Sequence, residues 1–247
     1  MANGAAVKYS EIREQAFEAN MAIQRSGLIV LTWGNASAAD RAAGVFAIKP
    51  SGVAYHELTS PMMVIVSIET GAVVDGSHRP SSDTATHRSI YAAFAAVGGI
   101  VHTHSIHATS YAQAARSIPC LGTTHADHFA GPVPVTRHPT EQEIDAGYEA
   151  ATGDIIVEHF RTHEIDPLHV PAALLPHHGP FVWGETAAHA VENAIALEAV
   201  AQMAALSHAI AGTPAPIPDR LQRKHFSRKH GTNAYYGQPR EGDRYEH

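Results

Sequence analysis

Gly98-Gly99-Ile100-Val101-His102-Thr103-His104 is the stretch whose reading decides the fold. Two apolar β-branched residues lead into His-x-His, the pattern of a short buried strand. Residues two apart on a strand share a face. His102 and His104 are therefore expected to aim two imidazoles at one point while Thr103 faces away. Imidazole is the commonest protein metal ligand, and catalytic zinc usually takes three protein ligands plus an open position. In a chain with 19 histidines, one His-x-His carries little weight until further ligands are found.

On the N-terminal side of this strand, Pro80-Ser81-Ser82-Asp83 opens a helix through His87, Ile90, Tyr91 and Phe94, with Asp83 or a neighbouring Ser as its cap. Before it, Met63 to Ile68 reads as a strand, and Ala72-Val73-Val74 pairs back on it as a hairpin. Val45 to Ile48 is another strand, and Thr32 to Ser37 turns into one. Residues 28–31 (Leu-Ile-Val-Leu) read as a short buried strand. The first helix starts at Ser10, carries Ile12, Ala16, Phe17, Ala19 and Ile23 as an apolar stripe, and stops at Gly27.

On the C-terminal side, residues 107–115 form a helix, and Thr123 to Asp127 read as a polar loop. Thr140 and Glu143 have capping-box spacing and start a helix to Ala151, followed by a separate short helix over 155–163. Residues 172–175 are a strand leading to His177-His178-Gly179-Pro180, and Phe181-Val182-Trp183 is another, ended by Gly184. Residues 186–211 make the longest helix, with Ile195, Leu197, Val200, Met203 and Leu206 as core candidates. Pro214, Pro216 and Pro218 stiffen a linker to a basic helix capped by Asp219, whose Arg220 to Lys229 cluster reads as a solvated face. The sum is an α/β chain: a central, mostly antiparallel sheet with helices on both faces, three layers α-β-α. A single domain over residues 1–247 is expected, with 239–247 a flexible tail.

Composition sets outer bounds. The chain has 247 residues, 45% hydrophobic and 17% charged, with a formal charge of −7 that disfavours nucleic-acid partners. One cysteine, Cys120, excludes an internal disulfide and fits a reducing cytoplasm. Residues 1–9 contain no apolar core for a signal peptide, and no apolar run of ~18 residues passes without a polar interruption. No strand is followed by G-x-G-x-x-G and there is no P-loop, so a dinucleotide or ATP is disfavoured.

Three groups of residues could carry chemistry. His102, His104 and His178, with Asp83, suit Zn²⁺ or a similar divalent ion. His87, His107, His125, His128 and His177 remain competing members of that set, each read individually as a surface or capping residue. Ser51-Gly52 and Ser81-Ser82 offer turn and helix-start N–H groups for an anion, with Lys49 and Asn35 adding a charge and an amide. Ordinary turn and capping chemistry is the plainer account of either Ser pair. Asp127 in its polar stretch and the tail tyrosines Tyr235 and Tyr236 are candidates for proton transfer.

Taken together, these motifs resemble the L-ribulose-5-phosphate 4-epimerases of the class II aldolase/adducin-head superfamily, from about Glu11 to Gln238. The carriers are Leu31-Thr32-Trp33-Gly34-Asn35, Ile48-Lys49-Pro50-Ser51-Gly52, Pro80-Ser81-Ser82-Asp83-Thr84 and the His-x-His stretch. Gly122 to Asp127, His178-Gly179-Pro180-Phe181, Arg228 to Gly231 and Tyr235 to Gln238 complete the set. The resemblance implies metal ligands at Asp83, His102, His104 and His178, and zinc as the metal, with other divalent cations acceptable. It implies phosphate or substrate contacts at Gly34, Asn35, Lys49, Ser51, Gly52, Ser81 and Ser82. It further implies acid/base roles for Asp127 and Tyr236, supplied by a neighbouring subunit of a cyclic homotetramer.

The implied reaction interconverts L-ribulose 5-phosphate and D-xylulose 5-phosphate by retro-aldol cleavage and re-addition at C3–C4. Related sugar-phosphate aldolases typically carry Glu after the Ser-Ser pair, and Asp83 favours the epimerase. The alternatives are a fuculose-phosphate-type aldolase and a non-catalytic scaffold like the adducin head. Pro176-His177-His178 departs from the family's usual His-x-His, and the histidine before Gly179 is the match.

Overall fold

A computed structural model describes residues 8–230 together with 234 and 235. Its centre is a seven-stranded sheet in the order β4-β3-β2-β1-β5-β7-β6, every strand pairing antiparallel. The strands are β1 (Asn35–Asp40), β2 (Val45–Ile48), β3 (Val64–Ser67), β4 (Val73–Asp75), β5 (Gly99–His102), β6 (Ala172–Leu174) and β7 (Pro180–Gly184). The helices are α1 (Ser10–Arg25), α2 (Thr84–Ala93), α3 (Ile106–Gln113), α4 (Thr123–Ala126), α5 (Glu141–Thr162), α6 (Ala187–Ala211) and α7 (Asp219–His230).

The period-2 alternation of the strands divides the core in two. Ala36, Ala47, Ile65, Val101, Leu174 and Val182 join the buried residues of α1, α3 and α6 on one face. Phe46, Ile48, Val66, Ile100, Phe181 and Trp183 join those of α2 and α5 on the other. The expected α-β-α arrangement is therefore present, with every strand from β1 to β7 contributing to a covered sheet except the exposed edge β4. Fully burying a side chain of the size of Phe46 or Phe181 is worth roughly 1.5–3 kcal/mol.

Several expectations need correction. Residues 28–31 are not a strand: Leu28 is buried, but Leu31 takes a left-handed φ of 55° and Trp33 N–H closes a turn on Val30 C=O at 3.1 Å. A four-residue apolar run does not by itself separate a strand from a docked turn. Residues 123–126 are a helical turn rather than a loop. The helices expected over 140–151 and 155–163 are one element, α5, interrupted at Gly147 (φ 155°, ψ 88°). Gly153 does not break it. A Cβ there would lie 2.6 Å from Ser89 Cβ and 2.9 Å from Thr86 C=O, so this glycine lets α5 lie tight against α2.

On α6, Leu197 and Val200 are core residues as expected, but Ile195, Met203 and Leu206 face outward. The stripe against the sheet is built mostly of alanine, Ala190, Ala194, Ala201 and Ala204, which bring the helix close. By length and composition α6 could cross a membrane; its alanine stripe instead packs on β5 and β7.

Candidate metal centre

The sheet register brings the site together. Asn35 pairs with His102 across β1–β5, and His102 pairs with Phe181 across β5–β7. Three neighbouring strands thus end at one spot, on the face covered by α2 and α5. The His102 ring stacks on Phe181, with centroids 4.2 Å apart and 17° between planes. Its Nδ1–H donates to Pro180 C=O at 2.9 Å, which leaves the Nε2 lone pair facing the cavity.

His104 lies past the end of β5 rather than within it, yet its Nε2 comes 3.1 Å from His102 Nε2. His178 completes the group: one ligand atom from each of His102, His104 and His178 lies within 4.8 Å of the others. Gly179 makes this possible, because a Cβ there would come 2.8 Å from Thr103 C=O and 3.4 Å from His104 Cδ2. The turn after β6 can therefore press against the His102–His104 segment. His177 points elsewhere, exposed at a left-handed φ of 60°.

The donor set fits a cation. Burial and the adjoining imidazoles lower the pKa of His178, and burial with His102 lowers that of His104, so both stay in the neutral, ligating form. A tetrahedral zinc with bonds of about 2.0–2.1 Å separates its ligand nitrogens by about 3.3 Å, close to the observed Nε2–Nε2 spacing.

Asp83 lines the same cavity but is not part of the converging trio. Its Oδ2 accepts from Asn35 Nδ2 at 2.7 Å. Burial pushes the Asp83 carboxyl up, but His102, His87 and the Asn35 amide outweigh this and hold it ionised, below the usual range. Asp83 heads α2 without capping it by a side-chain hydrogen bond, so its carboxylate is left for the site.

The cavity encloses about 280 Å³ and is lined by all seven residues expected to touch substrate or phosphate: Gly34, Asn35, Lys49, Ser51, Gly52, Ser81 and Ser82. The two Ser turns are tied together, Ser51 N–H donating to Arg79 C=O at 2.9 Å and Ser81 N–H to Lys49 C=O at 3.0 Å. Lys49 Nζ donates to Val53 C=O at 2.7 Å and lies over the Tyr55 ring, and burial lowers its pKa to about 8. Asn35 Oδ1 is buried without a partner among the described residues, an acceptor left open beside the imidazoles.

Asp127 is not among the residues lining this cavity. Arg228 Nε and Nη2 donate to its carboxylate at 2.9 and 2.6 Å, and His225 Nδ1 lies 3.1 Å away. Burial raises the Asp127 carboxyl, and these partners more than reverse that. The basic stretch on α7 is thus not a purely solvated face, since Arg228 and His225 turn onto Asp127. Tyr236 lies outside the described residues; Tyr235 is exposed. Among the competing histidines, His87 Nδ1 bonds Ser37 Oγ at 2.7 Å in the core, His107 Nδ1 bonds Glu198 at 2.8 Å, and His125 Nε2 donates to Gly131 C=O at 2.8 Å. His128, the remaining one, is half-buried. The sequence reading missed Tyr148, whose hydroxyl reaches His178; a glycine inside a long helix, just before it, is the only local signal.

The fold and the converging imidazoles define a class of protein: residues 14–205 match the class II aldolase and adducin N-terminal domain, and the chain belongs to that family. A protein of Salmonella paratyphi C named L-ribulose-5-phosphate 4-epimerase UlaF is 51% identical over 228 residues, covering 92% of this chain and 99% of its own length. Among solved structures, an L-fuculose 1-phosphate aldolase superposes with a TM-score of 0.72 at 24% identity, covering 87% of this chain and 94% of its own. An L-fuculose-1-phosphate aldolase from Thermus thermophilus does so with a TM-score of 0.64 at 24% identity, over 83% of this chain and 98% of its own. Both structural likenesses speak to the fold alone.

Proposed function

We propose that this chain is a divalent-metal-dependent epimerase interconverting L-ribulose 5-phosphate and D-xylulose 5-phosphate. The observation that carries the reading is 51% identity, nearly end to end, with a protein named for that activity. The site chemistry supports it. The C4 hydrogen of a 2-ketose is not acidified by the carbonyl, so inversion by simple deprotonation is unfavourable. Breaking C3–C4 and re-forming it on the other face of the released aldehyde avoids that difficulty.

His102, His104, His178 and Asp83 would hold the metal, zinc being the reading that the donor set favours. When bound it supplies Lewis-acid stabilisation of the enediolate charge. The protein's own residues do the rest. Lys49 and the Ser51-Gly52 and Ser81-Ser82 turns grip the phosphate, keeping glycolaldehyde phosphate in place while its carbonyl turns over. Gly34 and Asn35 close one wall of that pocket. Asp127, ionised by its Arg228 partner, takes the proton of the C4 hydroxyl on one face, and Tyr236 returns one on the other. A positioned acid or base of this kind contributes ~10²–10⁴-fold.

In this reading Asp127 and Tyr236 come from a second copy in a cyclic homotetramer. Two features support it: Asp127 lies away from its own chain's cavity, and large apolar residues stay exposed at Leu31, Trp33, Ile195, Met203 and Leu206. The single cysteine is buried and free, in keeping with a cytoplasmic enzyme. The test is to incubate the purified protein with L-ribulose 5-phosphate and Zn²⁺ and follow both products. D-xylulose 5-phosphate supports the proposal. Release of glycolaldehyde phosphate without epimer turns the reading to an aldolase, and absence of any turnover or metal uptake turns it to a scaffold.

A further inference from the structure

His102 and His178 each use Nδ1 in a hydrogen bond, but the partners differ in kind. The partner of His102 is the Pro180 carbonyl, which can only accept, so its tautomer is forced. The partner of His178 is the Tyr148 hydroxyl, 3.1 Å from Nδ1, with the two rings 5.8 Å apart and tilted by 36°. A hydroxyl can donate or accept. If it donates, Nδ1 is bare, Nε2 carries the proton and His178 is lost as an Nε2 ligand. If it accepts, the Nε2 lone pair is free to join those of His102 and His104.

We propose that Tyr148 is a positioning residue for the third imidazole, its hydroxyl accepting the His178 Nδ1 proton and so fixing the tautomer and ring plane that aim Nε2 into the cluster. The inference rests on the metal reading of the site. A cation on Nε2 makes the Nδ1 proton a stronger donor, which drives the hydroxyl into the accepting role. Such partners of ligating histidines raise ligand basicity and fix orientation.

The backbone around Tyr148 is built for this placement. Tyr148 directly follows Gly147, the one residue within α5 with non-helical φ and ψ. Immediately after the interruption, Thr86 Oγ1 donates to Glu149 C=O at 2.6 Å, and Gly153 brings the next turn against α2. The helix that carries Asp83 at its head therefore also anchors the segment that carries Tyr148. The hydroxyl reaches His178 from a fixed support.

The test compares Tyr148→Phe with wild type and with Tyr111→Phe, which removes a buried hydroxyl that has no hydrogen-bond partner among the described residues. Each protein is stripped of metal and titrated with Co²⁺ and Zn²⁺ against a competing chelator. The Co²⁺ visible spectrum and the thermal midpoint of the metal-free form are recorded alongside. Tyr148→Phe is expected to bind about 10–100-fold more weakly, with shifted Co²⁺ bands and an unchanged metal-free midpoint, while Tyr111→Phe matches wild type. In zinc-loaded wild type, ¹⁵N chemical shifts should place the His178 proton on Nδ1. Unchanged affinity and spectrum in Tyr148→Phe, or a proton on Nε2 in the loaded wild type, overturns the inference and leaves the metal reading standing. A wild-type protein that takes up neither metal overturns the metal reading itself.

Discussion

Lys49 and His125 are both buried cation-capable side chains, and their surroundings give them opposite relations to pH. Lys49 lies in the cavity wall with its pKa lowered by burial to about 8. On the proposed reading it binds phosphate only when charged, so substrate affinity is expected to weaken as pH rises through about 8. KM against pH should rise on that alkaline limb, and in Lys49→Met the limb should vanish from an already weakened binding curve. His125 is kept neutral: Nε2–H is used by Gly131 C=O, Nδ1 is buried without a partner among the described residues, and burial lowers the pKa to about 4. The unfolded chain takes up this proton near pH 6.5 and the folded chain only near 4. Its contribution is therefore complete above about 6.5 and lost as pH falls towards 4, about 3 kcal/mol in all. Urea unfolding of the metal-free protein at pH 7, 6, 5 and 4 should show the decline, and His125→Gln should flatten it.

Thr140 and Glu143 form the capping box that their spacing announces: Glu143 N–H donates to Thr140 Oγ1 at 3.2 Å and Thr140 N–H to Glu143 Oε2 at 2.8 Å. Thr140→Ala is expected to cost about 1 kcal/mol in chemical denaturation. It should also loosen the α5 segment ahead of Gly147. Caps and alternating strands were legible in the sequence because their causes are local. The β-branched runs of β2, β3 and β5 and the Thr140 start of α5 needed no knowledge of what packs on them. What failed was non-local. Residues 140–151 and 155–163 read as two helices until α2 is seen lying against Gly153, and Leu28 to Leu31 reads as a strand until no neighbour among the described residues is found to pair with it. The placement of His178 before a Gly-Pro turn could be read from the chain, whereas Tyr148 could not. Its hydroxyl meets His178 only because α5 and the β6–β7 turn are brought together by the whole fold.

Two cores on one sheet give the molecule a site at the sheet's end and leave an apolar surface elsewhere. Ile195, Met203 and Leu206 on α6, with Ile210 beyond them, stay uncovered in a single copy. On the proposed reading that surface belongs to contacts between copies, and each site is finished by its neighbour's Asp127. The expected consequence is complementation. His104→Asn and Asp127→Asn homo-oligomers should each be nearly inactive, while subunits dissociated, mixed and reassembled should recover a measurable fraction of wild-type turnover. Mixed assemblies that stay as inactive as their parents would place Asp127 in the same copy's chemistry or outside the chemistry altogether.

The turn from His178 to Pro180 holds two of the three imidazoles at once, one as its own side chain and one through the carbonyl that grips His102 Nδ1. A shift of that short segment would detach both together. On the proposed reading, loosening it by inserted residues should therefore move the chelator concentration at half occupancy further than loosening the support of either imidazole alone.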